Sequence, residues 1–74
     1  MGKPPPISNR ISELRAENDQ MSQATLAKAV GVSRQTIIAI EKGHYSPSLE
    51  SAFRISRVFG VNLEDVFGWN EINN

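Results

Sequence analysis

Seventy-four residues make one small domain, and the absence of cysteine excludes a disulfide framework and a thiolate metal site. Eight basic side chains balance eight acidic ones, so the formal net charge is zero and a strongly basic, salt-driven nucleic-acid binder is excluded. No stretch is long and apolar enough to span a bilayer, and Met1-Gly2-Lys3-Pro4-Pro5-Pro6 lacks the apolar run of a signal peptide.

Residues 1–6 form a loose arm. Its three prolines favour extended polyproline geometry and remove three amide donors. A frayed end and an arm reaching into a DNA groove both fit that composition. A first helix is expected over about 9–18, capped by Ser8 or Asn9, with Ile7, Ile11 and Leu14 facing the core and Arg15 beside that stripe. Glu17-Asn18-Asp19-Gln20 then breaks the pattern as a polar turn.

A second helix should run over about 22–30, with Ser22 as its cap and Leu26, Ala27 and Val30 on its inner face. Gln23 falls in its first turn, where unpaired amides and the helix dipole favour a phosphate. In Val30-Gly31-Val32-Ser33, Gly31 can take the left-handed conformation that closes a helix, and Ser33 can cap the next. Two helices therefore meet across a very short link, and Ala27 is small enough to let them cross closely.

The third helix, about 33–42, carries different chemistry on its two sides. Ile37, Ile40 and Glu41 share one face; Gln35, Ala39 and Lys42 share the other, with Arg34 and Ile38 on the flank. Arginine can bond a guanine edge at two points and glutamine an adenine edge at two points. A helix showing both near its N-terminus suits a DNA major groove, although a solvated polar face would look similar in isolation.

Beyond Gly43, the loop His44-Tyr45-Ser46-Pro47 leads to a fourth helix over about 48–59. Its expected inner stripe is Leu49, Ala52, Ile55, Ser56 and Phe59, with Phe53 beside it and Arg54 and Arg57 solvated. His44 is the only histidine and has no second ligand at metal spacing, so no metal is expected. Gly60 ends that helix, and Asn62 can cap a short fifth one, 62–67, with Glu64 and Asp65 in its first turn. The tail, 68–74, and the residues before it place Val66, Phe67, Trp69 and Ile72 close together. This apolar set either folds back on the core or forms a dimer contact.

Charge is unevenly distributed. From Gln23 to Tyr45, Lys28, Arg34 and Lys42 stand against Glu41 alone. From Ser46 onward, Arg54 and Arg57 face Glu50, Glu64, Asp65 and Glu71. The acids collect away from the third helix, so modest non-specific affinity and a shallow salt dependence are expected.

Taken together, Gln23 to Lys42 resembles a helix-turn-helix motif, with Gln23 first, Ala27 fifth, Gly31 ninth and Ile37 fifteenth. The wider pattern, Met21-Ser22-Gln23-Ala24-Thr25-Leu26-Ala27 through Gly31-Val32-Ser33-Arg34-Gln35-Thr36-Ile37 and Ile40-Glu41-Lys42-Gly43 to Pro47-Ser48-Leu49, resembles the phage repressor and Cro-like family, also called the xenobiotic-response-element family. It covers about Ile7 to Phe67. The resemblance implies an all-α, compact five-helix repressor-like domain that binds double-stranded operator DNA, commonly as a homodimer on a palindrome. It implies base contacts by Arg34, Gln35, Ile38 and Ala39. Ser22, Gln23, Ser33, Thr36, Lys42, His44, Tyr45 and Ser46 would contact the DNA backbone. It also implies a structural ion pair between Arg15 and Glu41, and a bracing contact between Gln23 and Gln35. Two departures from the family pattern stand out: the turn before Met21 is one residue longer, and Ala39 replaces a longer polar residue.

The expected function is a cytoplasmic transcriptional regulator, a repressor, with no cofactor, no small-molecule ligand and no membrane partner. An antitoxin or antirepressor of the same fold, masking a protein partner through its tail, is the alternative. An enzyme is not expected. The chain shows no nucleophile paired with a base and no phosphate loop, and Glu64-Asp65 sits on one helical turn rather than across a cleft.

Overall fold

The structure is a computed structural model that describes residues 5–70. Five helices and a two-strand ribbon follow one another: β1 (Ile7–Asn9), α1 (Ile11–Glu17), α2 (Gln23–Val30), α3 (Arg34–Glu41), α4 (Leu49–Phe59), α5 (Leu63–Val66) and β2 (Phe67–Trp69). Each helix contributes to one core: Ile11 from α1, Leu26 from α2, Ile37 and Ile40 from α3, Ile55 from α4 and Val66 from α5 are its fully buried large side chains. Burying a side chain of this size contributes roughly 1.5–3 kcal/mol, so these six account for much of the driving force of so small a domain.

Helix ends follow local chemistry. The hydroxyls of Ser22, Ser33 and Ser48 accept the third-turn-position amides of Thr25, Thr36 and Ser51 at 3.0, 3.1 and 3.1 Å. At Asn62 the bond runs the other way, its backbone N–H donating to the Asp65 carboxylate at 2.9 Å. In α4 the buried hydroxyl of Ser56 is satisfied by donating to the Phe53 carbonyl at 2.8 Å.

The ribbon is the main departure from the expected elements. Residues 7–9 are a strand rather than the lead-in to a helix. They pair antiparallel with 67–69 in the register Ile7↔Trp69, Ser8↔Gly68, Asn9↔Phe67. Flanking bonds from Arg10 N–H to the Val66 carbonyl (2.8 Å) and Asn70 N–H to the Pro6 carbonyl (2.6 Å) extend the ladder. Helix α1 consequently begins at Ile11, with Arg10 as its cap residue and no side-chain cap bond from it. Helix α5 ends at Val66 because Phe67 has turned into extended backbone. The polar turn after α1 holds Asp19 and Gln20 at positive φ (55° and 52°).

Leu49, placed in the inner stripe of α4, lies opposite to expectation at 69% exposed: as the first residue of the helix it has no preceding turn to cover. Val66, for which the core and a dimer contact both stood open, is 1% exposed and belongs to the protein's own core, which removes it from the dimer contact, because the single turn of α5 directs it inward. Phe67 is half-buried against that core, Trp69 is 67% exposed, and Ile72 and arm residues 1–4 lie outside the described residues. No helix among the described residues is long and apolar enough to cross a membrane.

Candidate nucleic-acid interface

Helices α2 and α3 are joined by three residues. Gly31 closes α2 at φ 91°, its N–H and that of Val32 both reaching back to the Ala27 carbonyl at 2.8 and 3.0 Å. Ser33 opens α3 at once. Ala27, 4% exposed, lies in the core between them.

This crossing turns α3 so that Ile37 and Ile40 are buried and the opposite face is presented outward. Arg34, Gln35 and Lys42 are exposed; Ile38 and Ala39 are half-buried beside them. The Thr36 hydroxyl stays within 3.0 Å of that of Ser33, and Ser22 repeats this arrangement with Thr25 at 2.9 Å. The chain leaves α3 through Lys42 and through Gly43 at φ 76°, with His44 N–H bonded to the Ala39 carbonyl at 2.9 Å. His44 and Tyr45 are exposed and Ser46 is half-buried, in the loop that directly follows α3.

The acid of this segment is held in a polar cluster. Glu41 accepts from Arg15 Nε at 2.7 Å and from Arg15 Nη2 at 3.1 Å, a two-pronged ion pair with side chains only 18% and 11% exposed. The same guanidinium donates through Nη1 to the Met21 carbonyl at 2.9 Å. Gln23 completes the cluster: its Nε2 donates to Glu41 Oε1 at 3.1 Å. The expected bracing of Gln23 against Gln35 is therefore not seen, because the carboxylate is a stronger acceptor than a second carboxamide. Among the described residues Arg34 and Lys42 form no salt bridge, and no side-chain hydrogen bond holds Arg34 or Gln35. The outward face thus carries two cations without a salt bridge and a free carboxamide, while the helix's one carboxylate lies on the inner face, paired with Arg15.

Asn9 is the contributor that pattern reading missed. Its Nδ2 donates to the Ile40 carbonyl at 2.9 Å and its Oδ1 accepts from Ile11 N–H at 3.1 Å. Periodicity marks Asn9 only as a cap, and nothing local signals a partner 31 residues away.

A second surface stands apart from this face. Ile7, Pro47, Leu49, Ala52, Leu63 and Phe67 line an apolar cleft of about 310 Å³ between the ribbon, the loop before α4 and α5. Trp69 borders an adjoining hollow that shares Ile7 and Phe67.

A profile described as helix-turn-helix matches residues 11–66. An uncharacterised HTH-type transcriptional regulator of Methanocaldococcus jannaschii is 54% identical over 61 residues, 82% of this chain and 91% of that protein. A counterpart in Bacillus subtilis is 48% identical over 67 residues, 90% of this chain and all of that one. The transcriptional repressor RstR of the cryptic phage CTXphi, from Vibrio cholerae, is 35% identical over 90% of this chain and 60% of its own length. The crystal structure of a Bacteroides fragilis protein described as DNA-binding superposes with a TM-score of 0.73 at 26% identity, covering 84% of this chain and 98% of that one.

Proposed function

This chain belongs to the helix-turn-helix family, and from that premise we propose that it is a sequence-specific DNA-binding transcriptional regulator, a repressor acting in the cytoplasm. The relatives named as transcriptional regulators and as a phage repressor support this reading. The observation that carries it is the outward face of α3, where Arg34 and Gln35 stand free beside Lys42 while Glu41 is sequestered by Arg15.

In this reading α3 enters the major groove. Arg34 and Gln35 bond base edges, and Ile38 and Ala39 meet thymine methyls. Ser22, Ser33, Thr36, Lys42, His44, Tyr45 and Ser46 follow the phosphates, with Gln23 contributing through its backbone amide at the start of α2. One such domain reads only a few base pairs, so a homodimer on a palindrome supplies the rest, its half-sites about one helical turn apart.

The apolar cleft is the face we assign to pairing, with Ile7, Leu49, Leu63, Phe67 and Trp69 meeting their counterparts in a second copy. Leu49 and Trp69 are the two most exposed of the large hydrophobic side chains, and both lie on this side. A stable interface takes about 800 Å² per partner, a large share of the surface of so small a domain, and this face offers a contiguous apolar centre for it.

Selection of bound sequences from random duplex DNA tests the proposal. Enriched sequences should be palindromic, and Gln35→Ala should cost roughly 1–3 kcal/mol at the selected site and relax preference at one position per half-site. Unchanged preference in Gln35→Ala would remove α3 from the reading role. Leu49→Glu should leave the helical content intact yet shift the sedimenting species from dimer to monomer; a dimer that survives it places pairing elsewhere.

A further inference from the structure

Three elements converge on the last turn of α3. Arg15 from α1 and Gln23 from α2 both bind the Glu41 side chain, whereas Asn9 from β1 binds main chain, at the Ile40 carbonyl. That carbonyl already accepts from Gly43 N–H at 3.0 Å. The Asn9 bond is therefore not needed to satisfy a helix end, and its effect is to tether α3.

The tether is rigid at both ends. The two atoms of the Asn9 carboxamide face a carbonyl and an N–H, which fixes the orientation of the amide. The backbone of Asn9 is paired opposite Phe67, and Ile7, two residues earlier on the same face of the ribbon, lines the apolar cleft with Phe67. A path of two residues thus joins the face assigned to pairing to the end of the reading helix.

We propose that Asn9 is a positioning residue for DNA reading: without touching DNA, it sets the angle of α3 relative to the pairing face and so sets the half-site spacing the paired protein accepts. This rests on the reading of the chain as a paired DNA-binding regulator. Arg34 lies six residues from Ile40, about 9 Å along the helix, so a tilt of about 10° at the tether moves the reading end by about 1.5 Å. A displacement of that size takes a two-point bond at a base edge out of hydrogen-bonding range.

The test compares wild type with Asn9→Ser, whose short hydroxyl can still accept from Ile11 N–H but does not reach the Ile40 carbonyl. Binding is measured to the selected operator, to versions with the spacer changed by one base pair, and to non-specific duplex. Asn9→Ser should weaken operator binding about fivefold, the size of one weakened base-edge bond at the displaced end of α3, and bring the affinities of the altered spacers closer to that of the operator. Non-specific binding and the dimer dissociation constant should change by less than about twofold, small against that loss. Equal loss on specific and non-specific DNA, or an unchanged spacer preference, would overturn the proposal. If Asn9→Ser does not fold, Asn9→Asp, of the same size, replaces it. The readout is again the ratio of specific to non-specific affinity, from which the added charge largely cancels. A wild-type chain that binds its operator as a monomer overturns the pairing reading by itself. Asn9 is then judged on that ratio at a single half-site, where no change would refute its role.

Discussion

Replacing Glu41 by Gln isolates the polar cluster behind α3. The substitution keeps shape and one acceptor oxygen but sets an NH₂ group where a carboxylate oxygen received a donor. Either Arg15 Nε, now 2.7 Å away, or Arg15 Nη2 and Gln23 Nε2, both 3.1 Å away, must then face another donor. Removing one member of a fully buried pair costs about 3–5 kcal/mol, and an exposed pair is worth about 0–1. With side chains 18% and 11% exposed, and solvent screening allowed for, this pair falls nearer the buried limit, at about 2–3 kcal/mol. A domain of this size has about 4–11 kcal/mol of stability in all, so the loss is a large fraction of it. The assay is urea unfolding followed by circular dichroism, with Glu50→Gln as control. The Glu50–Arg54 pair has the same shortest distance, 2.7 Å, but both its bonds fall on one carboxylate oxygen and its side chains are 74% and 56% exposed, so its loss should cost under about 1 kcal/mol. Replacing both partners, Arg15→Met with Glu41→Leu, should recover much of what Glu41→Gln loses, since no charge is then left buried alone. Equal costs for Glu41→Gln and Glu50→Gln would refute the assignment of the cluster as a structural clamp.

Gly68→Ala would set a Cβ 2.8 Å from Ser8 Oγ, so the Ser8 hydroxyl must rotate away and the loss should stay under about 1.5 kcal/mol; the double variant with Ser8→Ala, which lacks that oxygen, should regain it in the same urea assay. Lys42→Ala should weaken binding to all sequences alike and lower the slope of log affinity against log salt by about one for each half-site, as measured by anisotropy titrations at several salt concentrations.

The parts legible in the sequence are those governed by neighbours in the chain. Ser22, Gly31 and Ser33 mark helix ends through bonds to residues within five positions, and the spacing of Leu26, Ala27, Val30, Ile37 and Ile40 states which faces meet. The ribbon was not legible. Its strands are three residues each, too short for an alternating pattern, and Ile7 sits at a spacing that a helix explains equally well. What makes 7–9 extended is a partner some sixty residues later, and no local signal encodes that. The same holds for Asn9 and for Gln23, whose partners were set by the fold rather than by position in a motif. Leu49 shows the limit of periodicity: the pattern gives a direction around the helix axis but not whether anything lies beyond its first turn.

Overall neutrality conceals a separation of charge that the fold completes. Three of the described carboxylates, on Glu13, Glu41 and Glu50, are tied to arginines. Of the cations without a salt bridge among the described residues, Lys28, Arg34 and Lys42 lie on or directly after α2 and α3, and only Arg57 lies elsewhere. The remaining described acids lie at the end of α1 (Glu17), in the turn after it (Asp19) and on α5 (Glu64 and Asp65). The segment from Gln23 to Lys42 therefore carries Lys28, Arg34 and Lys42 against Glu41 alone and is net positive although the chain is neutral. The clamp adds a second consequence. Among the described residues, the polar side-chain tethers from other elements to α3 meet its last two residues, whereas its first turn is held by the Ser33 cap and by the burial of Ile37. In the role proposed for them, Arg34 and Gln35 would exchange water for base edges without first breaking a side-chain bond within the protein, so their discrimination would not be offset by a lost internal contact.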